Sequence, residues 1–404
     1  MGVPGPTPVP VFGNMFTMIR KGLVDIFPFW NKQYGKIYGI FMPMAPVLII
    51  SDLDLIKEVA IKKFQSFPNR QIPTAFKIKP WNTNLLALRD DQWKHVRGVL
   101  SPTFSSGKLK KMIPAIERVA SNLVSNVTEK AKTGEMIELK EFCGCFAMDV
   151  IAGVVFGIQV DSLKDPKDPF VYHAYNVIFG RQWLQALYVT LPFLAILLSK
   201  IGLTYFPKES SDFFYNATEA ALKERRQETE KFGDFLQLLV EAEKEQETQQ
   251  EIDAEIDHRS HLHTSSQQTH KGLTPDEINS NVLLFFVGGY ETVSTAMSYT
   301  LFCLAANPEC LHKAQQEVDE KLGKKPADYS TANELVYLDM CLNEAMRMFT
   351  PAFLHTPEAR AARHPCSFLP FGIGPRNCIG MRLGTAGASH GSGSCLTKSH
   401  SRAV

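Results

Sequence analysis

FLPFGIGPRNCIG, residues 368–380, decides the reading of this chain. Phe371, Gly372, Gly374, Arg376, Cys378 and Gly380 set an FxxGxRxCxG pattern within it. Glycines permit a tight loop in which backbone amides approach the sulfur of Cys378. A thiolate needs such donors and a nearby cation to stay deprotonated, and Arg376 stands two residues away. A cysteine that ligates haem iron has these requirements, because its thiolate pushes electron density onto the metal and favours O–O cleavage. A glycine-rich turn with an incidental cysteine would not need so many set positions in so short a stretch.

Upstream, Gly288-Gly289-Tyr290-Glu291-Thr292 lies inside a long helical pattern that starts at Thr274-Pro275-Asp276-Glu277. Two glycines in a helix interior cost about 1 kcal/mol each against alanine. The cost suggests that something flat approaches the backbone there, with the Glu291 carboxylate and the Thr292 hydroxyl beside it. A hydroxyl at such a point loosens the helical hydrogen bonds and can hold a water or dioxygen; the plainer alternative is helix packing through small residues. Glu344 and Arg347 share a helix face three residues apart, a pair that is usually decorative when exposed. Trp93 and Arg97, four apart, also share a face, and Arg70 could join them in binding a carboxylate.

Composition sets the frame. The 404 residues carry 43 basic and 42 acidic side chains, a net charge of +1, so no basic excess points to nucleic acid. Hydrophobic residues at 45% and charged residues at 21% exclude a mostly disordered chain. None of the eight cysteines forms a CxxC pair, so they read as reduced thiols rather than a zinc ribbon or a redox motif. Helices are expected at about 53–64, 90–100, 108–132, 138–156, 168–188, 208–230, 232–245, 275–305, 308–322 and 331–349, with a β-hairpin over 35–52. Residues 184–206 are the most apolar stretch; they read either as a membrane-surface segment or as a buried connection. The polar run 241–271, with His258, His261, His263 and His270, reads as a solvated helix end and loop.

Taken in order, W-xxx-R, GGxET, ExxR and FxxGxRxCxG resemble the cytochrome P-450 superfamily. The wording PGPTPVPVFGN, LSPTFSSGKLKKM, DPKDPF, FVGGYET and PFGIGPRNCIGMR resembles family 3, subfamily A, the mammalian liver group that oxidises drugs and steroids. The resemblance covers residues 3–349 and then 368–382. It implies a mainly α fold with small β-sheets and haem b (iron protoporphyrin IX) as cofactor. Cys378 would be the axial iron ligand. Thr292 would hold the distal oxygen and Glu291 would feed protons. Arg376, Trp93, Arg97 and Arg70 would bind the haem propionates. Gly288, Gly289 and Phe371 would lie against the ring, and Glu344 with Arg347 would form a structural pair. Phe285, Phe286 and Val287 would face a small apolar substrate. The resemblance also implies oxygen insertion with NADPH-derived electrons, NADPH–cytochrome P-450 reductase and cytochrome b5 as partners, and the cytosolic face of the endoplasmic reticulum membrane. Lys94, His95, Lys108, Lys110 and Lys111 would offer the reductase a basic patch.

Three departures from the family are visible. Residues 1–14 read as a proline-rich hinge with the membrane anchor absent before it. The haem domain, 15–383, carries a deletion between about 350 and 367, since only 34 residues separate Glu344 from Cys378; Arg360 and Arg363 are weak substitutes for a lost arginine. Residues 384–404 resemble nothing in the family and are expected to be disordered, as altered splicing or an imperfect gene model would produce. The fold is therefore expected to be incomplete at its C-terminal side. The rival reading is an inactive truncated variant with impaired haem binding.

Overall fold

Thr274 opens the helix on which the molecule is built. Its hydroxyl accepts from the Glu277 amide at 3.2 Å while the Glu277 carboxylate accepts from the Thr274 amide at 2.9 Å. This reciprocal pair satisfies two of the amides that a helix start leaves open. The structure is a computed structural model; it describes residues 2–42, 45–134, 136–181, 183–184, 187–188, 192–227, 234–241, 272–322, 334–349 and 368–398.

The elements are α1 (Met15–Lys21), α2 (Leu23–Tyr34), β1 (Ile37–Met42), β2 (Ala45–Ile50), α3 (Leu53–Lys57), α4 (Asp90–Leu100), α5 (Ser106–Thr133), α6 (Leu139–Ile151), α7 (Pro169–Phe179), α8 (Pro192–Lys200), α9 (Lys208–Gln227), α10 (Pro275–Ala305), α11 (Pro308–Lys321), α12 (Val336–Met348) and α13 (Met381–Lys398). The expected hairpin is present: β1 and β2 are antiparallel, with Ile37 opposite Ile50 and Ile40 opposite Val47. Asp52 caps α3 as its position suggests, its carboxylate accepting from the amides of Asp54 and Leu55 at 3.1 Å. The proline-rich start is no free linker. Pro4 O accepts from Gly39 N at 2.8 Å, and Asn14 Nδ2 donates to Thr7 O at 3.2 Å, so the segment is pinned along β1.

α10 runs through the core with α6, α12 and α13 against it. α6 is buried from Phe142 to Ile151, with Asp149 the one charged residue in that stretch, as a helix with so little polar surface must be. Phe156, Phe170, Phe214 and Phe286 fill the next layer, edge to face around Phe170 and tilted around Phe214 otherwise, with ring centroids 5.2–5.8 Å apart, the separation at which aromatic quadrupoles attract.

The expectation of disorder after residue 384 does not hold for residues 384–398, which form most of α13. Its buried surface is Gly387–Gly393 and Leu396. Leu396 is the one large aliphatic of residues 384–398, yet small residues let neighbours come very close. A Cβ on Gly391 would lie 2.8 Å from both Met297 Sδ and the Phe146 ring. The His-rich run 242–271, the connection 350–367 with Arg360 and Arg363, and residues 399–404 lie outside the described residues.

Candidate haem-thiolate site

The loop before α13 presents Cys378. Gly372 and Gly374 have φ of +72° and +77°, a left-handed backbone that side chains resist. A Cβ on Gly374 would also fall 2.1 Å from the Ala60 carbonyl oxygen. The turn is closed by Cys378 N donating to Phe371 O at 2.8 Å and Asn377 N donating to Gly374 O at 3.0 Å. Burial pushes the Cys378 thiol up; the Gly380 amide and the charges of Arg97 and Arg70 pull it down. Its side chain is exposed, and it lines a cavity of about 610 Å³.

α10 forms the opposite wall. Leu284, Phe285, Gly288, Gly289, Thr292, Val293 and Ala296 all line the cavity, a stripe at helical spacing. The two glycines do different jobs. A Cβ on Gly288 would meet nothing within 4 Å, so its backbone is open to the cavity. A Cβ on Gly289 would lie 2.9 Å from Ile151 Cδ1, so that glycine admits α6. Thr292 Oγ1 donates to Gly288 O at 2.6 Å.

Three residues stand away from this wall. Phe286, one position out of register, is fully buried against Phe170 and Phe214. Val287 likewise leaves the stripe and does not line the cavity. Glu291 faces the start of α6, where its carboxylate accepts from Lys140 Nζ at 3.0 Å and from Thr295 Oγ1 at 3.2 Å. A shift of one residue turns a helical side chain by about 100°, which is why these neighbours of lining residues point elsewhere.

Arg70, Trp93, Arg97 and Arg376 do converge at one end of the cavity. Arg376 is nearly buried and ties loops together. Its guanidinium donates to Pro68 O at 2.6 Å and Leu88 O at 3.1 Å, and stacks 4.1 Å from the Trp93 ring. Arg70 donates to the Arg376 carbonyl, and Arg97 donates to Asn377 Oδ1 at 3.0 Å. Burial lowers the pKa of all three guanidinium groups, and each of Arg97 and Arg376 is lowered further by a neighbouring arginine. Among the described residues no carboxylate is ion-paired with Arg70 or Arg97. Crowded cations of this kind are a place for an anionic ligand.

Glu344 and Arg347 stand outside the cavity and are joined as a fork, Arg347 Nε to Glu344 Oε2 at 2.7 Å with a second bond from Nη2 to Oε1. That pairing holds the Arg347 guanidinium above its ordinary pKa. From the same helix, Leu342 and Met346 reach the cavity. The sequence reading missed these two, and it missed Asn377, the wall made by Ala147, Val150 and Ile151 of α6 with Val154 and Val155 just after it, and Thr385 and Ala388 of α13. The signal for α6 was its uniform hydrophobicity; for α13 it was small residues recurring every three or four positions.

These residues fit haem. A thiolate candidate lies in an apolar cavity, a helix wall is bared at Gly288, and two cations stand ready for two propionates. Cys378 would hold the iron, and Arg70 and Arg97 the carboxylates.

The sequence model of the cytochrome P450 family matches residues 3–359 and 353–390. The chain is 34% identical to cytochrome P450 3A56 of Fundulus heteroclitus, over 95% of this chain and 83% of the relative. It is 33% identical to cytochrome P450 3A5 of Homo sapiens and to cytochrome P450 3A11 of Mus musculus, in each case over 95% of this chain and 82% of the relative. With a cysteine, cations and a bared helix around one apolar cavity, the chain belongs to the cytochrome P450 family, as a haem b monooxygenase of the 3A type.

Proposed function

We propose that this chain inserts one oxygen atom from O₂ into apolar substrates such as steroids, drugs and xenobiotics, with electrons from NADPH. The observation that carries the reading is the juxtaposition of Cys378 and Thr292 across one largely apolar cavity. Haem, when bound, supplies oxygen activation at an iron held by a thiolate. The chain's own residues do the rest. The Gly380 amide and the charges of Arg97 and Arg70 favour the anionic sulfur. Phe285, Phe104, Val150 and Leu284 exclude water and receive the substrate. Thr292, whose proton now rests on Gly288 O, holds a proton at the cavity wall. Glu291, paired with Lys140, is the acid at the solvent side of that turn.

The proposed electron donors are NADPH–cytochrome P450 reductase and cytochrome b5. Lys94, Lys110 and Lys111 are exposed, as a docking face needs, whereas Lys108 is paired with Glu241 at 2.8 Å. We place the protein at the cytosolic face of the endoplasmic reticulum membrane. No helix of the described residues is long and apolar enough to cross a membrane. Trp183, Leu197 and Ile201 are 69%, 58% and 77% exposed, and such a patch suits a lipid surface. The same segment also buries Leu184 and Ala195. The short connection between Glu344 and Cys378 is proposed to be an internal deletion; alignments of 435–439 positions, longer than this chain, support it.

Reduced protein exposed to carbon monoxide tests the site directly. A strongly red-shifted Soret band is expected, and Cys378→Ser should remove it. Thr292→Ala should retain the band while NADPH consumption parts from product formation. A band that persists in Cys378→Ser sinks the assignment.

A further inference from the structure

The three arginines at the end of the cavity are held in different ways. Arg70 donates to the carbonyl of Arg376, and Arg376 donates mainly to the carbonyls of Pro68 and Leu88. A carbonyl is present whatever the side chain, so these ties do not depend on the identity of their acceptors. Arg97 differs. It projects from α4, and among the described residues the one acceptor of its guanidinium is a side chain, Asn377 Oδ1, at 3.0 Å and 280 positions away in sequence. Asn377 immediately precedes Cys378 and lines the cavity. It is itself fixed, since its backbone amide donates to Gly374 O at 3.0 Å. A single side chain thus ties a cation of α4 to the loop that presents the sulfur.

We infer that Asn377 is a positioning residue for the cofactor, its amide oxygen holding the Arg97 guanidinium in place to bind a haem propionate. The inference rests on the haem assignment and not on the oxygenase reading. A guanidinium carries several donors in a planar fork and takes a carboxylate with two of them. The bond to Asn377 occupies Nη2 and leaves the rest of the fork available. The amide oxygen has no net charge, so Arg97 is oriented while it keeps its full charge for an anion. An aspartate at this position would orient the guanidinium as well, but would pair with it and cancel the charge. A side chain already held also loses less freedom when the anion arrives than one that must first be ordered. The choice of an amide next to the cysteine is therefore a choice for propionate binding.

The experiment loads the full chain with haem or with haem dimethyl ester, whose esterified propionates carry no charge, and follows the loss of each to apomyoglobin. Haem should reside longer than the ester in the unsubstituted chain. Asn377→Ala should shorten the haem residence time about three- to tenfold, as the loss of one hydrogen bond does, and leave that of the ester unchanged. Asn377→Asp, which has the same shape, should lower the ratio of haem to ester residence further, because it removes charge as well as leaving the bond. On an Arg97→Leu background, Asn377→Ala should add nothing. A ratio that stays the same in Asn377→Ala overturns the inference. So does an equal shortening for haem and ester, which marks a loop that needs its asparagine only for shape. A chain that takes up neither compound overturns the haem assignment together with the inference, so the two failures are told apart. Oxygenase turnover enters none of these measurements.

Discussion

Asp149 is a buried carboxylate with no ion-pairing cation among the described residues. Its two oxygens share the Ser162 amide at 3.2 Å each, and burial raises its pKa from 3.8 to about 7, against the lowering effect of Ser162. The folded state thus prefers the protonated acid. The stabilisation this gives is present at low pH and is lost as pH rises through about 7. The protein should lose roughly 2 kcal/mol of stability between about pH 5 and about pH 8 through this group, and Asp149→Asn should flatten the profile. Urea midpoints across that range decide it; parallel profiles for the two proteins would refute the account. Cys378, Thr292, Arg70 and Arg97 stood out in the sequence, with haem roles implied by the resemblance, and all four line the same cavity. The resemblance implied that Phe286 and Val287 face substrate and that Glu291 feeds protons, and none of the three lines the cavity. Motif membership does not specify which side of a helix a residue takes, and the 3.6-residue period does.

α13 shows what a helix can do with few large side chains along its buried surface. Gly391 lets Met297 and Phe146 touch its backbone, so Gly391→Ala places a Cβ 2.8 Å from each. Overpacking of this kind costs about 1–3 kcal/mol. Gly393 is the control: its Cβ would meet Leu335 at 3.5 Å, an ordinary contact, so Gly393→Ala should gain about 0.5–1 kcal/mol from helix propensity. Equal thermal midpoints for the two variants would disprove the close packing. α13 was unreadable as a helix because periodicity is sought in large aliphatics, and here only the small residues repeat. α12 depends on its neighbour in another way: its first amides are capped by Glu317 of α11 rather than by a residue of its own. Glu317→Ala should destabilise the protein by about 1–2 kcal/mol, with the loss of amide protection in hydrogen exchange concentrated in the first turn of α12. Protection lost evenly along α12 would argue against the cap.

The hairpin, α4 to α6 and the α10–α12 core follow the sequence closely, because apolar faces mark them and a capping box opens α10, whereas the helix expected over 168–188 gives α7, which stops at Phe179 before Gly180. The whole assembly should gain stability from its cofactor. A ligand that binds only the folded chain adds about 2.7 kcal/mol at a hundred-fold excess over its dissociation constant. Haem should therefore raise the thermal midpoint in a concentration-dependent manner, and Arg97→Leu should weaken that dependence. A midpoint insensitive to haem would contradict the fit of the cavity.

Arg376 reaches Pro68 and Leu88 across 308 and 288 positions of sequence. Contacts so distant along the chain are slow to find, because their closure entropy is met before any neighbouring contact rewards it. The helices can therefore be in place while the cysteine and its cations are still apart. In kinetic terms, competence to capture the cofactor is a late event of folding, and mild denaturant should release haem before the helical signal declines.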